Sequence, residues 1–444
     1  MDIEATDLEL LVREGSDSEL AGFLRLLHPA DIADLVEQVD EEGRERIFSL
    51  LPDKTAAEVL PEIQDYVMGD VLEFLPDERI ADFVPEMDTD DAADLLAELP
   101  SSQQRMILAR IEPSDSEELR RLMEYQPDTA GGLMQTELIA VVKDATVGEV
   151  IDEIRKNRNE VDRLHFVFVV DEYKRLEGVL DLQDLILADS DRRVSELMSP
   201  EVISVRVDTD QEEVVSLIMK YSLISIPVVD DQNRLLGRIW VDDVMGALED
   251  EVDEDFLLMA GAGEEELEDL SVRKSVVARL PWLIITWIGG ITAALIMGHF
   301  GKTMSEAMVV LSAFIPIIMA MGGNVGTQSA TIIVRGIATG RIDYGGLTHF
   351  FFSQLGIGFF LGALIGALTA AFAHIRPSTY EYSLIIGLAM AAVISFSALV
   401  GAFLPMFFKK IGVDPAIATA PIISMTCDIV GILIYLTLAS FLIS

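Results

Sequence analysis

Beyond Arg279 the sequence becomes a succession of long apolar runs. Leu280–Phe300, Ala307–Val334, Tyr344–Ile375 and Tyr382–Phe408 contain no Asp, Glu, Lys or Arg, and Pro415–Ile443 contains only Asp428. A helix needs about 20 residues to cross the hydrocarbon core of a bilayer, and a buried soluble helix rarely sustains that length. The runs therefore predict five transmembrane helices. Orientation follows from the basic residues near their ends. With the N-terminus inside, Arg273, Lys274, Arg279, Arg335, Arg341, Lys409 and Lys410 are cytosolic, and only Lys302 and Arg376 fall outside. The expected placement is the plasma (inner) membrane, multi-pass, with the N-terminal portion cytosolic and the C-terminus outside. The start, "MDIEATDLEL", has no basic segment followed by an apolar run, so a cleaved signal peptide is not expected.

Two spans carry polar side chains together with Pro or Gly. "IPIIMAMGGNVGTQSAT" puts Pro316, Gly322, Gly323 and Gly326 beside Asn324, Thr327, Gln328 and Thr331 in the second. In the fifth, Pro421 accompanies Ser424, Thr426 and Asp428, and Pro405 falls in the fourth. Non-helical backbone at membrane depth is tolerated where it lines a cavity, so breaks in these helices and a polar pathway between them are expected. An ionisable group at depth costs several kcal/mol unless it faces a wet cavity or a partner. No Lys or Arg lies inside any of the five spans to pair with Asp428. A protonated, hydrogen-bonded Asp428 is one answer, and a bound cation is the other. Five helices per chain suggest a pore shared by two chains, where two carboxylates repel each other unless a cation sits between them. Mg2+, which dehydrates reluctantly, suits one carboxylate per chain plus polar neighbours.

The charge is split to match. Of 32 Lys+Arg and 75 Asp+Glu, nine and five lie after Leu270, which leaves 23 and 70 before it; residues 1–270 carry −47 and the remainder +4. A front this acidic repels nucleic acid and attracts cations, although acidic, Lys-poor surfaces also occur in proteins adapted to high salt. The single Cys427 excludes an internal disulfide framework and a Cys-rich metal site. No P-loop is present, and the five His residues are scattered with no nucleophile–base constellation, so an enzyme is not expected.

The soluble portion is repetitive. "FVFVVDEYKRLEGVLDLQDL" from Phe166 and "SIPVVDDQNRLLGRIWVDDV" from Ser225 align at an offset of 59, pairing Val169 with Val228, Asp171 with Asp230, Gly178 with Gly237 and Asp184 with Asp243. Each copy reads as strand, turn, strand and helix, preceded by a helix, and the pair resembles a tandem CBS domain. In the first 130 residues "DIADLVEQV" and "DAADLLAEL" recur 60 residues apart, with Leu-Pro-Asp helix starts, which suggests a helical solenoid. Asp90 and Asp91 read either as helix caps or as ligands. Between Arg238 and Arg273 there is no Lys or Arg, while Glu251, Glu254 and Asp255 stand at i, i+3 and i+4 on one helix face. Like charges there oppose the helix unless divalent cations bind the face; a purely solvated face is the alternative.

These features together resemble the MgtE magnesium channels, and the order covers essentially the whole chain. The strings that carry the resemblance are "PDTAGGLM" at Pro127, "GGNVGTQSATIIVRGIATG" at Gly322 and "GVDPAIATAPIISMTCD" at Gly412. The resemblance implies a multidomain fold: an α-helical superhelical N-domain (1–130), an α/β tandem CBS domain (131–195 and 196–247), an acidic connecting "plug" helix (248–276) and an all-α five-helix transmembrane pore domain (277–444). It implies a homodimer in membrane lipid with Mg2+ as both transported ion and regulatory ligand. Asp428 would hold hydrated Mg2+ in the pore, with Asn324, Thr327, Thr331, Ala420 and Ser424 lining it; family members can carry Asn where Thr327 and Ala420 stand. The cytosolic sensor ligands fall on Asp91, Asp243, Glu251, Glu254 and Asp255, while two further carboxylate positions map to Ser222 and Gly246, which supply none. ATP binding is a family feature that Asp184 would serve through a ribose contact, but Gln183 and Leu223 replace the expected Arg and aromatic residue, so ATP stays unsupported. The expected function is Mg2+ influx down the electrochemical gradient, closed by cytosolic Mg2+. The alternatives are a proton-coupled divalent-cation transporter and a non-conducting Mg2+- or nucleotide-sensing receptor.

Overall fold

The computed structural model describes residues 11–158, 164–262, 272–303, 305–338, 347–418 and 420–443. The chain divides into two units, Met1–Glu249 and Asp250–Ser444.

The first unit opens with short helices: α1 (Asp17–Leu24), α2 (Pro29–Gln38), α3 (Glu41–Leu50), α4 (Asp53–Val59), α5 (Asp65–Phe74), α6 (Asp77–Phe83), α7 (Thr89–Glu98), α8 (Ser101–Leu108) and α9 (Pro113–Leu122). Their starts are written locally. Ser16 and Glu19 form a reciprocal capping box on α1, and Asp40 accepts from the Gly43 amide at 3.1 Å on α3. Pro52 and Pro76 occupy the N-cap positions of α4 and α6, placing Asp53 and Asp77 in the first turns, where the helix dipole favours them. Helices pack on their next-but-one neighbours, α1 on α3, α2 on α4, α4 on α6 and α7 on α9, the arrangement of a two-row solenoid. The recurring sequence string has a structural counterpart. Ile32, Ala33, Leu35 and Val36 of α2 are buried, and so are Ala92, Ala93, Leu95 and Leu96 at the same positions of α7.

Two three-stranded sheets follow with one topology. β1 (Ala140–Val142) runs parallel to β2 (Phe166–Val170), which is antiparallel to β3 (Leu176–Asp181); β4 (Val205–Arg206), β5 (Ser225–Val229) and β6 (Leu235–Trp240) repeat this. The offset of 59 holds at the level of register: Val169 pairs with Gly178, and Val228 with Gly237. Each hairpin turn is held by one carboxylate, Asp171 accepting from the amides of Tyr173 and Arg175, and Asp230 from those of Gln232 and Arg234. Helices α10 (Val147–Lys156) and α12 (Gln211–Tyr221) precede the hairpins, and α11 (Leu182–Leu187) and α13 (Val241–Ala260) follow them. The connecting helix expected over 248–276 is occupied as far as Ala260 by the tail of α13, which begins inside the second repeat. Residues 263–271, with Glu264, Glu265, Glu266, Glu268 and Asp269, lie outside the described residues.

The second unit contains α14 (Val272–Thr303), α15 (Ser305–Ser312), α16 (Ile315–Ala338), α17 (Leu347–Ile375), α18 (Ser383–Lys410) and α19 (Ala420–Ile443). Among the described residues five of these helices are long and apolar enough to cross a membrane. The expected breaks fall elsewhere than the sequence suggests. α16 runs unbroken through Gly322, Gly323 and Gly326, and the interruption lies before it, between Ser312 and Ile315. Pro316 has no amide to offer the preceding turn. That amide would have served the Ser312 carbonyl; at the break itself, the Leu311 carbonyl accepts from the Phe314 amide at 3.0 Å and from the buried Tyr435 hydroxyl at 2.9 Å. Pro405 sits within continuous α18, and Pro421 lies in the first turn of α19, where its missing amide costs nothing. The glycines serve close approach. A Cβ on Gly401 of α18 would lie 2.1 Å from the Gly326 carbonyl oxygen of α16, and one on Gly366 of α17 would lie 2.5 Å from the Gly387 carbonyl oxygen of α18. Such contacts replace hydrophobic burial as the source of helix association in lipid.

Candidate functional site

In the second unit, α16 has two faces. Gly322, Val325, Gly326, Ser329, Ala330 and Ile333 are buried, while Asn324, Gln328 and Thr331 are exposed and Thr327 is half-buried. The buried face packs on α19: a Cβ on Gly326 would meet Ile423 Cγ2 and Cys427 Sγ, each at 2.8 Å. Neighbouring positions on α19 are Ser424 and Asp428, one helical turn apart and both half-buried. A Cβ on Gly323 would stand 3.7 Å from Ser424 Oγ. Glycine packing thus sets the polar string of the second span beside that of the fifth. Thr426 differs, because its hydroxyl donates to the Ile422 carbonyl at 2.7 Å within its own helix. Before α19, Asp414 accepts from the Ala416 amide at 2.8 Å and shapes the turn into that helix. Ala420 opens α19; its side chain lies outside the described residues.

Among the described residues no three His, Cys, Asp or Glu side chains converge to hold a metal ion. For the membrane site this is the expected arithmetic, since one chain presents one carboxylate, Asp428, flanked by hydroxyl and amide groups. Such a donor set suits a cation that keeps much of its water, and does not form a closed cage.

A second polar site is assembled in the first unit, where α7 faces the strands and helix of the CBS pair. Thr89 at the start of α7 binds across to Thr136 and Glu137: Thr89 Oγ1 lies 3.1 Å from Thr136 Oγ1, accepts from the Thr136 amide at 3.0 Å and donates to Glu137 Oε2 at 3.1 Å. Gln135 exchanges backbone hydrogen bonds with Arg238 of β6, and its side-chain amide donates to Asp243 Oδ2 at 3.2 Å, as does the Trp240 backbone amide. A cavity of about 330 Å³ opens here, lined by Glu62, Asp88, Asp91, Gln135, Glu137, Arg238 and Trp240 among others.

The capping reading of Asp90 and Asp91 is corrected here. Asp88 is the N-cap of α7, and its side chain makes no capping hydrogen bond. Asp90 lies in the first turn of α7, 6% exposed, with Oδ1 lacking a hydrogen-bond partner. Burial, and then the charge of Asp243, hold its carboxyl well above the usual carboxylate range. Burial and then Asp90, Asp88, Asp94 and Glu62 push the Asp91 carboxyl up to about 8, and burial raises Glu137. Glu137 was not expected as a site residue, and Asp90 was read, like Asp91, as either a cap or a ligand. A signal for Asp90 does exist, because the repeat places Ala30 where Asp90 stands in the second copy. Its environment is that of a buried carboxylate beside a second one, Asp243, and a divalent cation would relieve their repulsion.

Asp243 belongs to this site, on the first turn of α13. Glu251, Glu254 and Asp255 lie further along the same helix, with Glu254 exposed. Asp184 is exposed in the first turn of α11. Gly246 is exposed on α13, and Ser222 ends α12 in a left-handed conformation with φ 52°.

Comparison with known proteins accounts for every region. Residues 315–438 match the model of the MgtE divalent cation transporters, 27–128 that of the MgtE intracellular N domain, and 130–191 and 194–250 that of the CBS domain. The chain is 36% identical over 448 aligned residues to the magnesium transporter MgtE of Thermus thermophilus, covering 99% of this chain and 98% of the relative. It is 29% identical to the magnesium transporter MgtE of Bacillus subtilis, covering 97% and 95%. Among solved structures, the cytosolic domain of the Mg2+ channel MgtE in complex with ATP is similar at 38% identity and a TM-score of 0.52, covering 55% of this chain and 99% of that one. With full-length coverage at this identity, and with each region matched in the same order, the chain belongs to the MgtE family of divalent cation transporters.

Proposed function

We propose that this protein is a Mg2+-selective channel that works as a homodimer and admits Mg2+ down its electrochemical gradient. The observation that carries the reading is the juxtaposition of Asn324, Thr327 and Thr331 on α16 with Ser424 and Asp428 on α19, a face that a single chain leaves uncovered. Two copies of that face around one axis would line a polar path through lipid, with Asp428 from each chain attracting a hydrated cation. Ala420 extends the lining. The N-terminus is inside and the C-terminus outside, so a negative-inside potential drives entry with about 2.3 kcal/mol per charge per 100 mV.

Closure belongs to the acidic cytosolic residues. Beside Asp243 stand Asp90 and Asp91, whose protonation is raised by burial and by neighbouring carboxylates. Mg2+ binding there and on Glu251, Glu254 and Asp255 would relieve that repulsion and favour the closed arrangement. The domain limits given by the sequence are retained as part of this reading. ATP at Asp184 gains support from the ATP complex of the related cytosolic domain, and its test is binding by the intact protein with and without Asp184→Asn.

The deciding experiment is Mg2+ flux into proteoliposomes at low internal Mg2+, comparing the native protein with Asp428→Ala. Flux in the native protein that vanishes in the variant, with the dimer retained, is the expected result. Normal flux in the variant would remove Asp428 from the pore. Flux that follows an imposed pH gradient at clamped voltage would favour a proton-coupled transporter.

A further inference from the structure

The acidic cavity holds a permanent positive charge of its own. Arg238, on β6, is 3% exposed and lines the cavity together with Glu62, Asp88, Asp91 and Glu137. Its guanidinium carbon lies 4.4 Å from the centre of the Trp240 ring, itself 3% exposed, and His165 stands edge-on to Trp240 with ring centres 5.3 Å apart. The backbone of Arg238 is bonded in both directions to Gln135, at 2.8 and 2.9 Å, and the Gln135 side chain binds Asp243. The charge is therefore held by ring, strand and cavity wall within the site already described. Guanidinium does not deprotonate in proteins. A carboxylate cluster can shed its charge by taking up protons, but Arg238 keeps its charge at every physiological pH.

Resting on the sensor reading above, we propose that Arg238 is a resident counter-cation of the Mg2+ sensor, which competes electrostatically with Mg2+ for the carboxylates at the α7–CBS junction and thereby sets the Mg2+ concentration at which the cytosolic unit responds. Two positive species cannot share a partly desolvated cavity without cost, because Coulomb repulsion is only weakly screened there. Removing the resident charge should therefore tighten Mg2+ binding. Replacing it with another cation should leave binding near its native strength.

The test uses the full-length protein in detergent, titrated with MgCl2, and reads protection of the cytosolic portion from protease and the rise in its unfolding temperature. Arg238→Met keeps the apolar stem without the charge, Arg238→Gln is a neutral variant with an amide for a polar cavity, and Arg238→Lys keeps the charge. The neutral variants are expected to reach half-protection at Mg2+ concentrations lower by about tenfold or more, and the Lys variant within about twofold of native. Either foldable neutral variant suffices. An unchanged or higher midpoint in the neutral variants would overturn the proposal, as would a Lys variant that shifts as far as they do. A native protein that shows no Mg2+-dependent protection would remove the sensor reading itself, which separates the two failures.

Discussion

The two units solve the problem of polar groups in opposite ways. In the cytosolic unit, short helices bury Ile32, Ile47, Phe48, Ile80, Phe83 and Leu96 completely and turn their charges to water. In the membrane unit the large side chains face outward: Leu295, Phe360, Leu384 and Phe441 are 68–77% exposed, while contacts between helices fall on Gly326, Gly401, Gly366 and Gly387. Water drives the first arrangement through apolar burial. Lipid removes that driving force, and backbone approach through small residues replaces it. Each unit then breaks its own rule at one place. The cytosolic unit buries Asp90 and Arg238, and the membrane unit leaves Asn324 and Thr331 exposed and Asp428 half-buried among apolar helices. Those exceptions are where function is proposed.

The largest expected effect comes from forcing the rule of one unit on the other. Gly401→Leu places a side chain where backbone oxygen lies 2.1 Å from its Cβ, and no side-chain movement relieves it. More than about 3 kcal/mol of destabilisation is expected, read as lost thermal stability and dimer in detergent. A variant as stable as native would show that α16 and α18 are not packed this closely.

Next is the acidic face of α13. Changing Glu251 and Glu254 to Gln and Asp255 to Asn should leave Mg2+ flux running at internal Mg2+ levels that silence the native protein. Normal closure of this triple variant would confine the sensor to the Asp90–Asp243 junction.

A smaller effect separates the units by pH. Asp90 and Asp91 have carboxyls raised by burial, so the folded state holds their protons more tightly than the unfolded chain. The stabilising contribution of Asp91 is complete below about pH 4 and is lost as pH rises through about 8, and that of Asp90 is lost in the same direction. Without divalent cations, the unfolding temperature of the cytosolic unit in the full-length protein should fall across that window, and added Mg2+ should flatten the fall. A profile that rises with pH across the window contradicts the burial of these acids.

The smallest effect is a gain. Gly69 lies exposed in α5, and nothing stands within 4 Å of a Cβ built there. Gly69→Ala should therefore stabilise the cytosolic unit by about 0.5–1 kcal/mol, measured by thermal unfolding. The contrast with Gly401 is the point, since one residue type has opposite roles in the two units.

Much of this architecture was legible along the chain. Five spans, the 59-residue repeat and the Leu-Pro-Asp helix starts are local patterns, and local patterns carry period, capping and length. The repeat even predicted register, because Gly178 and Gly237 sit at matching places in matching hairpins. The break in the second span was misplaced onto glycines that are helical, because glycine and proline announce opportunity for a break and not its location. Its actual place is marked by a contact from far along the chain, since Tyr435, 124 residues away, donates its hydroxyl to the Leu311 carbonyl there. The choice between cap and ligand for Asp90 was open for the same reason. A buried acid and a capping acid look alike until the segment at Gln135, bridged to Arg238 of β6, meets one of them.

The sequence by itself therefore determined which stretches lie in lipid, which fold as CBS repeats and which family the residues resemble, since hydropathy, period and motif are properties of neighbouring residues. Only the tertiary structure decided which glycines are contacts, which carbonyl Tyr435 completes, and that Asp90, Asp243 and Arg238 meet at one junction. Those facts depend on distance between remote segments, and burial changes the energy of a charge by more than any local pattern records.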